Sequence, residues 1–197
     1  MMRKFSLLFW PLFLITLLSL SGCGYNSIQE NEEAVFASWA DVEATYQRRA
    51  DLIPNLVETV KAYASHEKET LQAVTQARAQ VGQVKLDASQ LGDAASVARF
   101  QKAQQGMSGA LSRLLVVAER YPDLKANQNF RDLQHQLEGT ENRINVARQR
   151  YNRVVQTFNS SIRTFPGNLT NKFMLKLERK EPFKAAAGSE QAPQVKF

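Results

Sequence analysis

Few side chains in this sequence have the type and spacing that catalysis or metal binding requires. The chain contains two histidines, His66 and His135, and one cysteine, Cys23, which excludes a Cys/His zinc site of ordinary composition. The histidines form no His-Glu-x-x-His pair, and Ser108 lacks the Gly-x-Ser-x-Gly pattern of a hydrolase nucleophile. We therefore expect a protein that is not an enzyme, with no catalytic residue, no metal site and no cofactor.

The best candidates for acid chemistry are two glutamates. Glu138 and Glu141 are three residues apart, which places them on one face of a predicted helix. With Asp123 they could hold a divalent cation, or the two could act as an acid pair. Alternatively, arginines such as Arg49 and Arg120 pair with such carboxylates across a helical bundle and fix its register. A docking role for the same charged residues stays open.

The N-terminus has the pattern of an export signal. Arg3 and Lys4 precede an apolar stretch at residues 5–20, which is shorter than the roughly 20 residues of a membrane-spanning helix. Leu20-Ser21-Gly22-Cys23 resembles the bacterial lipobox, in which the cysteine receives acyl chains such as palmitate. This predicts a signal peptide at residues 1–22, cleaved before Cys23; an uncleaved anchor is the alternative.

Acylation of Cys23 predicts that the membrane is a partner, because two or more acyl chains give a stable anchor. The expected location is the bacterial cell envelope, outside the cytoplasm. Gly24, in place of Asp, resembles the sorting signal for the outer membrane facing the periplasm, if the cell has two membranes. Residues 23–34 would then form a lipid-anchored N-terminus and a linker into the first helix.

The charge balance gives no indication of nucleic-acid binding. Lys and Arg number 25 and Asp and Glu 19 over 197 residues, a net charge of +6. Removal of Arg3 and Lys4 with the signal leaves 23 basic residues against 19 acidic ones. The excess is weak and spread along the chain, so no nucleic-acid partner is expected.

From residue 25 onward, apolar residues recur at steps of three and four, the spacing of amphipathic, coiled-coil-like helices. Arg49 occupies the one gap in the first stripe, so we expect it to need a carboxylate or carbonyl partner and to fix register. We expect Glu141 and Arg143 to be exposed. The predicted interior contains Trp39, Tyr46, Ile53, Leu56, Phe100, Leu111, Leu114, Leu133, Leu137, Ile144, Tyr151 and Phe158.

The breaks in the pattern set the helix boundaries. Asn26 or Ser27 is expected to cap the first helix, and Pro54 should kink it or divide it into two nearly collinear helices. Residues 82–95 contain the next predicted break. In the helix that follows, Gly106 and Gly109 are expected at a close helix crossing.

These helices predict an all-α fold. We expect an up-and-down antiparallel bundle of three to four long helices over residues 35–165. Residues 166–197 alternate apolar and charged side chains and then become rich in Ala, Gly, Ser and Pro. An irregular C-terminal tail, either an extended strap or a mobile segment, is predicted there.

Three separated blocks of the sequence resemble the LemA family. They are Tyr46–Val57 (YQRRADLIPNLV), Glu119–Asn127 (ERYPDLKAN) and Leu137–Ile144 (LEGTENRI). The pairs Tyr151-Asn152, Phe158-Asn159 and Phe165-Pro166 extend the resemblance, as does the ending Pro193–Phe197. The block residues with a possible register or interaction role are Arg48, Arg49, Asp51, Asn55, Glu119, Arg120, Asp123, Glu138, Glu141 and Arg143.

The resemblance implies a membrane-anchored, extracytoplasmic helical bundle without an established enzymatic activity, linked to surface export and membrane organisation. We therefore expect a non-catalytic lipoprotein that binds a protein partner or organises the envelope. The alternative is an accessory or cation-binding component of an envelope hydrolase or peptidase system, and direct membrane shaping is a third class. The chain departs from the family at Cys23, because most members resemble proteins that keep an N-terminal transmembrane helix.

Overall fold

A computed structural model describes the backbone of residues 3–184 and the side chains of residues 24–184. The described residues contain helices and no β-strand, which confirms the predicted all-α class. The helices are α1 (Arg3–Tyr63), α2 (Lys68–Gln83), α3 (Ala94–Ala118), α4 (Pro122–Ala126), α5 (Gln128–Ser161) and α6 (Gly167–Thr170).

The four long helices run up and down. In α1 and α5 the paired positions rise in one helix as they fall in the other, since Asp41 meets Arg150 and Arg49 meets Glu141. Helix α2 returns along α1, where Arg78 reaches the carbonyl of Ala50. Helix α3 then runs parallel to α1.

The core consists of two halves. The half nearer Gly24, which we call the aromatic half, contains Trp39 packed against Phe100, Tyr151 and Phe183, with ring centroids 5.3–6.0 Å apart. The other half is mainly aliphatic and contains residues such as Leu114. All twelve residues predicted for the interior are buried, which confirms the helical stripes as the core.

Helix α1 is continuous through Pro54, so no junction forms there. Pro54 has no N–H to donate to the carbonyl of Ala50, which would otherwise lose its helical partner. The Arg78 Nε–H of α2 donates to that oxygen at 3.2 Å. A tertiary hydrogen bond thereby replaces the missing helical one.

Two expectations about α1 are wrong. Residues 24–34 belong to the helix, so they form no linker and Asn26 and Ser27 are not caps. The helix also ends at Tyr63, whereas the pattern placed no break between Pro54 and residue 82. The turn at 64–67 that follows it contains no glycine or proline. Ala64 is fully buried in that turn, and burial there fixes the reversal of the chain.

The predicted break at residues 82–95 is confirmed: a 3₁₀ turn, Ala88–Gln90, lies between α2 and α3. Asp93 caps α3, and the hydrogen bonds from the Ser96 hydroxyl and the backbone hold the pKa of its carboxyl below the usual value. The close crossing predicted at Gly106 and Gly109 is wrong, because a Cβ atom at either position would meet no atom within 4 Å.

After α5 the chain passes through α6 and a π-helical turn, Asn171–Leu175, which ends at Lys176 with φ of 54°. These helical turns are absent from the prediction for the tail. Residues 177–184, which we call the strap, are extended and lie along α5. Residues 185–197 lie outside the described part of the chain.

Candidate functional site

A polar layer centred on Arg49 separates the two halves of the core. The Arg49 side chain is 2% exposed. Its Nη1 donates to Glu141 Oε2 at 2.9 Å and to Ser108 Oγ at 2.8 Å. Its Nη2 donates to Gln104 Oε1 at 2.6 Å, and the guanidinium lies 5.1 Å from the ring centroid of Tyr46. Arg49 therefore has the carboxylate and carbonyl partners that its place in the apolar stripe requires.

The polar layer opens onto a small cleft of about 130 Å³, which Gln101 and Arg148 also line. Ser108 accepts from Arg49 and donates to the carbonyl of Gln104, so it has no general base beside it among its hydrogen-bond partners. Both Nη atoms of the Arg49 guanidinium donate hydrogen bonds within the bundle. This arrangement holds three helices together, and it lacks the nucleophile–base pair that acyl transfer needs.

The cation site considered for Glu138, Glu141 and Asp123 does not form. Glu141 is committed to Arg49, and Glu138 accepts from Gln134 on the solvent side. Asp123 lies in the short helix α4, whereas Glu138 and Glu141 lie in α5. The described residues contain no group of three or more His, Cys, Asp and Glu that could hold a metal ion.

A second polar cluster lies at the distal end of the bundle, which we define as residues 63–67 and 119–127. Glu67 accepts from Arg120 Nη2 and from the Tyr121 hydroxyl, both at 3.0 Å. The hydrogen bond to Glu67 raises the pKa of the Tyr121 phenol. Asn127 donates to the Tyr63 hydroxyl, and Lys125 pairs with Glu119. The second block of the sequence therefore ties α4 to the end of α1.

The remaining candidate residues are exposed: Arg48, Asp51, Asn55 and Arg143. Asp51 accepts from Gln47 one turn away. Arg143 has no ion-pair partner among the described residues and lines an open groove of about 450 Å³ between α1 and α5. Val146 in the same groove is 63% exposed. We call this surface, lined by Asp41, Thr45, Asn142, Arg143, Val146 and Arg150, the α1–α5 groove.

A second groove, of about 580 Å³, lies between α1 and α2 and contains Glu43, Arg78 and Lys85. Glu43 is an exposed residue, but partial desolvation in the groove, together with the nearby Asp87, raises the pKa of its carboxyl. Burial also raises the pKa of the Tyr151 phenol well above its usual range, and its hydroxyl donates to the strap carbonyl of Glu181.

The sequence did not predict how the strap is held. The side chain of Asn152 bonds both the N–H and the C=O of Phe183, and Asn159 bonds those of Lys180 in the same way, at 2.8–2.9 Å. The two asparagines are seven residues apart and so share one helix face. A signal was present, because Tyr151-Asn152 and Phe158-Asn159 repeat an aromatic–Asn pair at that interval.

The strap also closes the aromatic half of the core. Phe183 is buried against Trp39, and Arg148 lies 5.0 Å from its ring centroid. Lys180 pairs with Glu32 of α1 at 3.0 Å, with both side chains largely buried. The strap is therefore part of the folded bundle and not a mobile segment.

The predicted lipid site, Cys23, and the signal at residues 1–22 lie outside the described side chains. No helix in the described part of the chain is long and apolar enough to span a membrane.

Comparison with known proteins identifies similar sequences. The model of the LemA family matches residues 38–197. Protein LemA of Metamycoplasma hominis is 24% identical over 140 residues, covering 71% of this chain and 60% of the relative.

Magnetosome protein MamQ 2 of Paramagnetospirillum magneticum is 28% identical over 164 residues, covering 73% of this chain and 59% of the relative. Magnetosome protein MamQ of Magnetospirillum gryphiswaldense is 27% identical over 186 residues, covering 84% and 65%. The chain thus spans about three-fifths of the length of these curated relatives.

Proposed function

The chain belongs to the LemA family, and we propose that it is a membrane-anchored, non-catalytic helical bundle that binds a protein partner outside the cytoplasm. A membrane-associated, non-catalytic role agrees with the magnetosome proteins among its relatives. The finer proposal is that the anchor is a lipid on Cys23 and that the location is the bacterial envelope, with the outer membrane expected in a cell with two membranes.

The internal pairing of Arg49 in the polar layer is the observation on which the non-catalytic proposal rests. Arg49 is the one fully buried charged side chain among the described residues, and its nitrogens are bound to Glu141, Ser108 and Gln104. A buried charge with internal partners specifies which helices pack and in which register. The most unusual polar group of the bundle is therefore used for assembly.

The surface that we assign to the partner is the α1–α5 groove. It combines an exposed apolar side chain, Val146, with Arg143, an arginine without an ion-pair partner among the described residues. Arginine beside apolar surface is typical of protein interfaces. An acidic partner surface is the chemistry that fits Arg143.

Site-specific photocrosslinking in cells tests the docking surface. A photoreactive residue at Val146 should give one specific crosslinked product, which Arg143→Glu should abolish. The matched control is the same photoreactive residue at Val116 of α3, because Val116 is 69% exposed and Val146 63%. The same products from both positions, or none from position 146, would contradict the assignment.

The anchor has a separate test. Cys23→Ser should abolish incorporation of labelled fatty acid and leave the protein unprocessed or released from membranes. Undiminished labelling of that variant would refute lipidation at Cys23, and the photocrosslinking result would not depend on it.

A further inference from the structure

The chain after α5 exposes apolar side chains in one short segment. We call residues 165–176, which contain α6, the π-helical turn and Lys176, the foot. Phe165 is 73% exposed and Phe173 71%, and Leu169 and Met174 are exposed as well. Four of the eight large apolar side chains that are exposed in the described residues belong to the foot. Such a concentration of exposed apolar side chains is typical of a surface that contacts another protein or a membrane.

The foot has a defined structure that holds these side chains outward. The Asn171 side chain bonds both the N–H and the C=O of Leu177, at 2.8 and 3.0 Å. The N–H of Lys176 donates to the carbonyl of Asn171 at 2.7 Å. Leu175 meanwhile packs against the aromatic half of the core. The exposure of Phe173 and Met174 is thus fixed by the fold of the segment.

The foot lies at the end of the bundle where the N-terminal anchor begins. A Cβ atom at Gly24 would lie 3.6 Å from Gly167 Cα and 3.2 Å from Thr170 Oγ1, and one at Gly167 would clash with the carbonyl oxygen of Ser161. Gly24 therefore allows α1 to pass close to α6, and Gly167 allows α6 to pack against the last turn of α5. Because Gly24 directly follows Cys23, the foot lies beside the point where the chain meets the membrane.

The charges within the foot and in the turn before it have one sign. No acidic residue occurs between Glu141 and Glu178, whereas Arg163, Lys172 and Lys176 are exposed. These three cations have no ion-pair partner in the described part of the chain. On α1 the first acidic residue after Gly24 is Glu30, about 9 Å farther along the helix.

We propose that the foot is a membrane-contact element that lies on an anionic lipid bilayer. Phe165, Phe173 and their apolar neighbours enter the head-group region, where aromatic side chains are favoured. Lys172 and Lys176 contact the lipid phosphates. The proposal rests on the proposed membrane anchorage and adds to it: the anchor keeps the protein at the bilayer, and the foot orients the bundle on it.

Depth-dependent fluorescence quenching tests this contact in the full chain. The protein is reconstituted into vesicles of phosphatidylcholine and phosphatidylglycerol that contain lipid brominated near the head group. Phe173→Trp is compared with Val116→Trp, whose position is 69% exposed and belongs to α3. Both variants have the same native tryptophans, Trp39 in the mature chain and Trp10 only where residues 1–22 are retained, so a difference in quenching reports the added residue alone.

We expect the tryptophan at position 173 to be blue-shifted and quenched, and the one at position 116 to be neither. Each lysine near an anionic surface changes the ratio of docked to undocked protein about fivefold. Lys172→Ala with Lys176→Ala should therefore lower that ratio about 25-fold, and pure phosphatidylcholine should lower the quenching as well. Equal quenching at positions 173 and 116 overturns the proposal. So does a tryptophan at position 173 that is blue-shifted but not quenched, because the foot is then covered by a second copy and not by lipid.

Flotation of the same vesicles separates this proposal from the membrane anchorage. If the variants float with the vesicles but position 173 is not quenched, the foot is refuted while the anchorage stands. If the full chain does not float, the anchorage fails and the foot fails with it. Quenching that persists after both lysines are removed and in neutral lipid refutes the role of the anionic surface.

Discussion

Replacement of Arg49 separates an assembly role from a docking role for the charged residues. Arg49→Ala removes three short hydrogen bonds, to Glu141, Ser108 and Gln104, of 2.9, 2.8 and 2.6 Å. Each hydrogen bond to a charged group contributes about 1.5–3 kcal/mol. The sum overstates the cost, because the burial penalty of the guanidinium disappears with it.

The exposure of the Arg49 partners determines how much of this free energy is lost. Glu141 is 46% exposed, so water can solvate its carboxylate once Arg49 is gone, whereas Gln104 is buried and loses its partner. We expect Arg49→Ala to lower the free energy of unfolding by about 3 kcal/mol. Arg49→Met should cost about 1–2 kcal/mol less than Arg49→Ala, because its side chain refills the space.

Two comparison substitutions on α5 should lower the free energy of unfolding by less. Glu141→Gln keeps an oxygen that accepts from Arg49, and its exposure screens the lost attraction, so we expect a cost of about 1 kcal/mol. Arg143→Ala, on the exposed face of the same helix, should stay within about 0.5 kcal/mol of wild type. Urea unfolding of the full chain in detergent micelles, followed by circular dichroism, measures all four. An Arg49→Ala protein as stable as Arg143→Ala would refute the assembly role.

Three further results are expected. Leu137→Ala should lower the free energy of unfolding by about 2–5 kcal/mol in the same assay, because the side chain is buried in the aliphatic half; a loss below about 0.5 kcal/mol would contradict its core position. Asn159→Ala should free the strap and speed tryptic cleavage after Lys180, unlike Asn142→Ala on the exposed face of α5; equal cleavage of the two variants would show that the asparagine does not hold the strap. The raised pKa of Glu43 means that its ionisation opposes folding, so stability is lost as pH rises above about 4.5. Glu43→Gln should therefore raise the Tm at pH 7 and not below pH 4.5, with Glu33→Gln, another exposed glutamate of α1, as control, and no gain at pH 7 would contradict the partial desolvation of the carboxyl.

Helical periodicity predicts the part of this fold that depends on burial along one helix face. The spacing of apolar residues located the core, and the break in that spacing singled out Arg49 as a residue in need of partners. Both results follow because a buried side chain must repeat with the period of its helix. The break before α3 was also predictable, since Gly, Asp and Ser favour turns.

Periodicity does not report on how segments from different parts of the chain meet. The turn at 64–67 has no glycine or proline, and the continuity of α1 through Pro54 depends on Arg78 from another helix. The asparagine contacts with the strap are likewise long-range. Such polar contacts join residues whose separation in sequence carries no period, so a single sequence does not reveal them.

The continuity of α1 has a mechanical consequence. Residues 24–63 at 1.5 Å per residue extend about 60 Å, from the foot to the distal end, without a loop. A force applied at the distal end would be carried along one hydrogen-bonded helix to the end of the bundle that carries the foot. Bending under that load would begin at Pro54, where the helix lacks a backbone bond, and the Arg78 contact with Ala50 is the brace that stiffens this point.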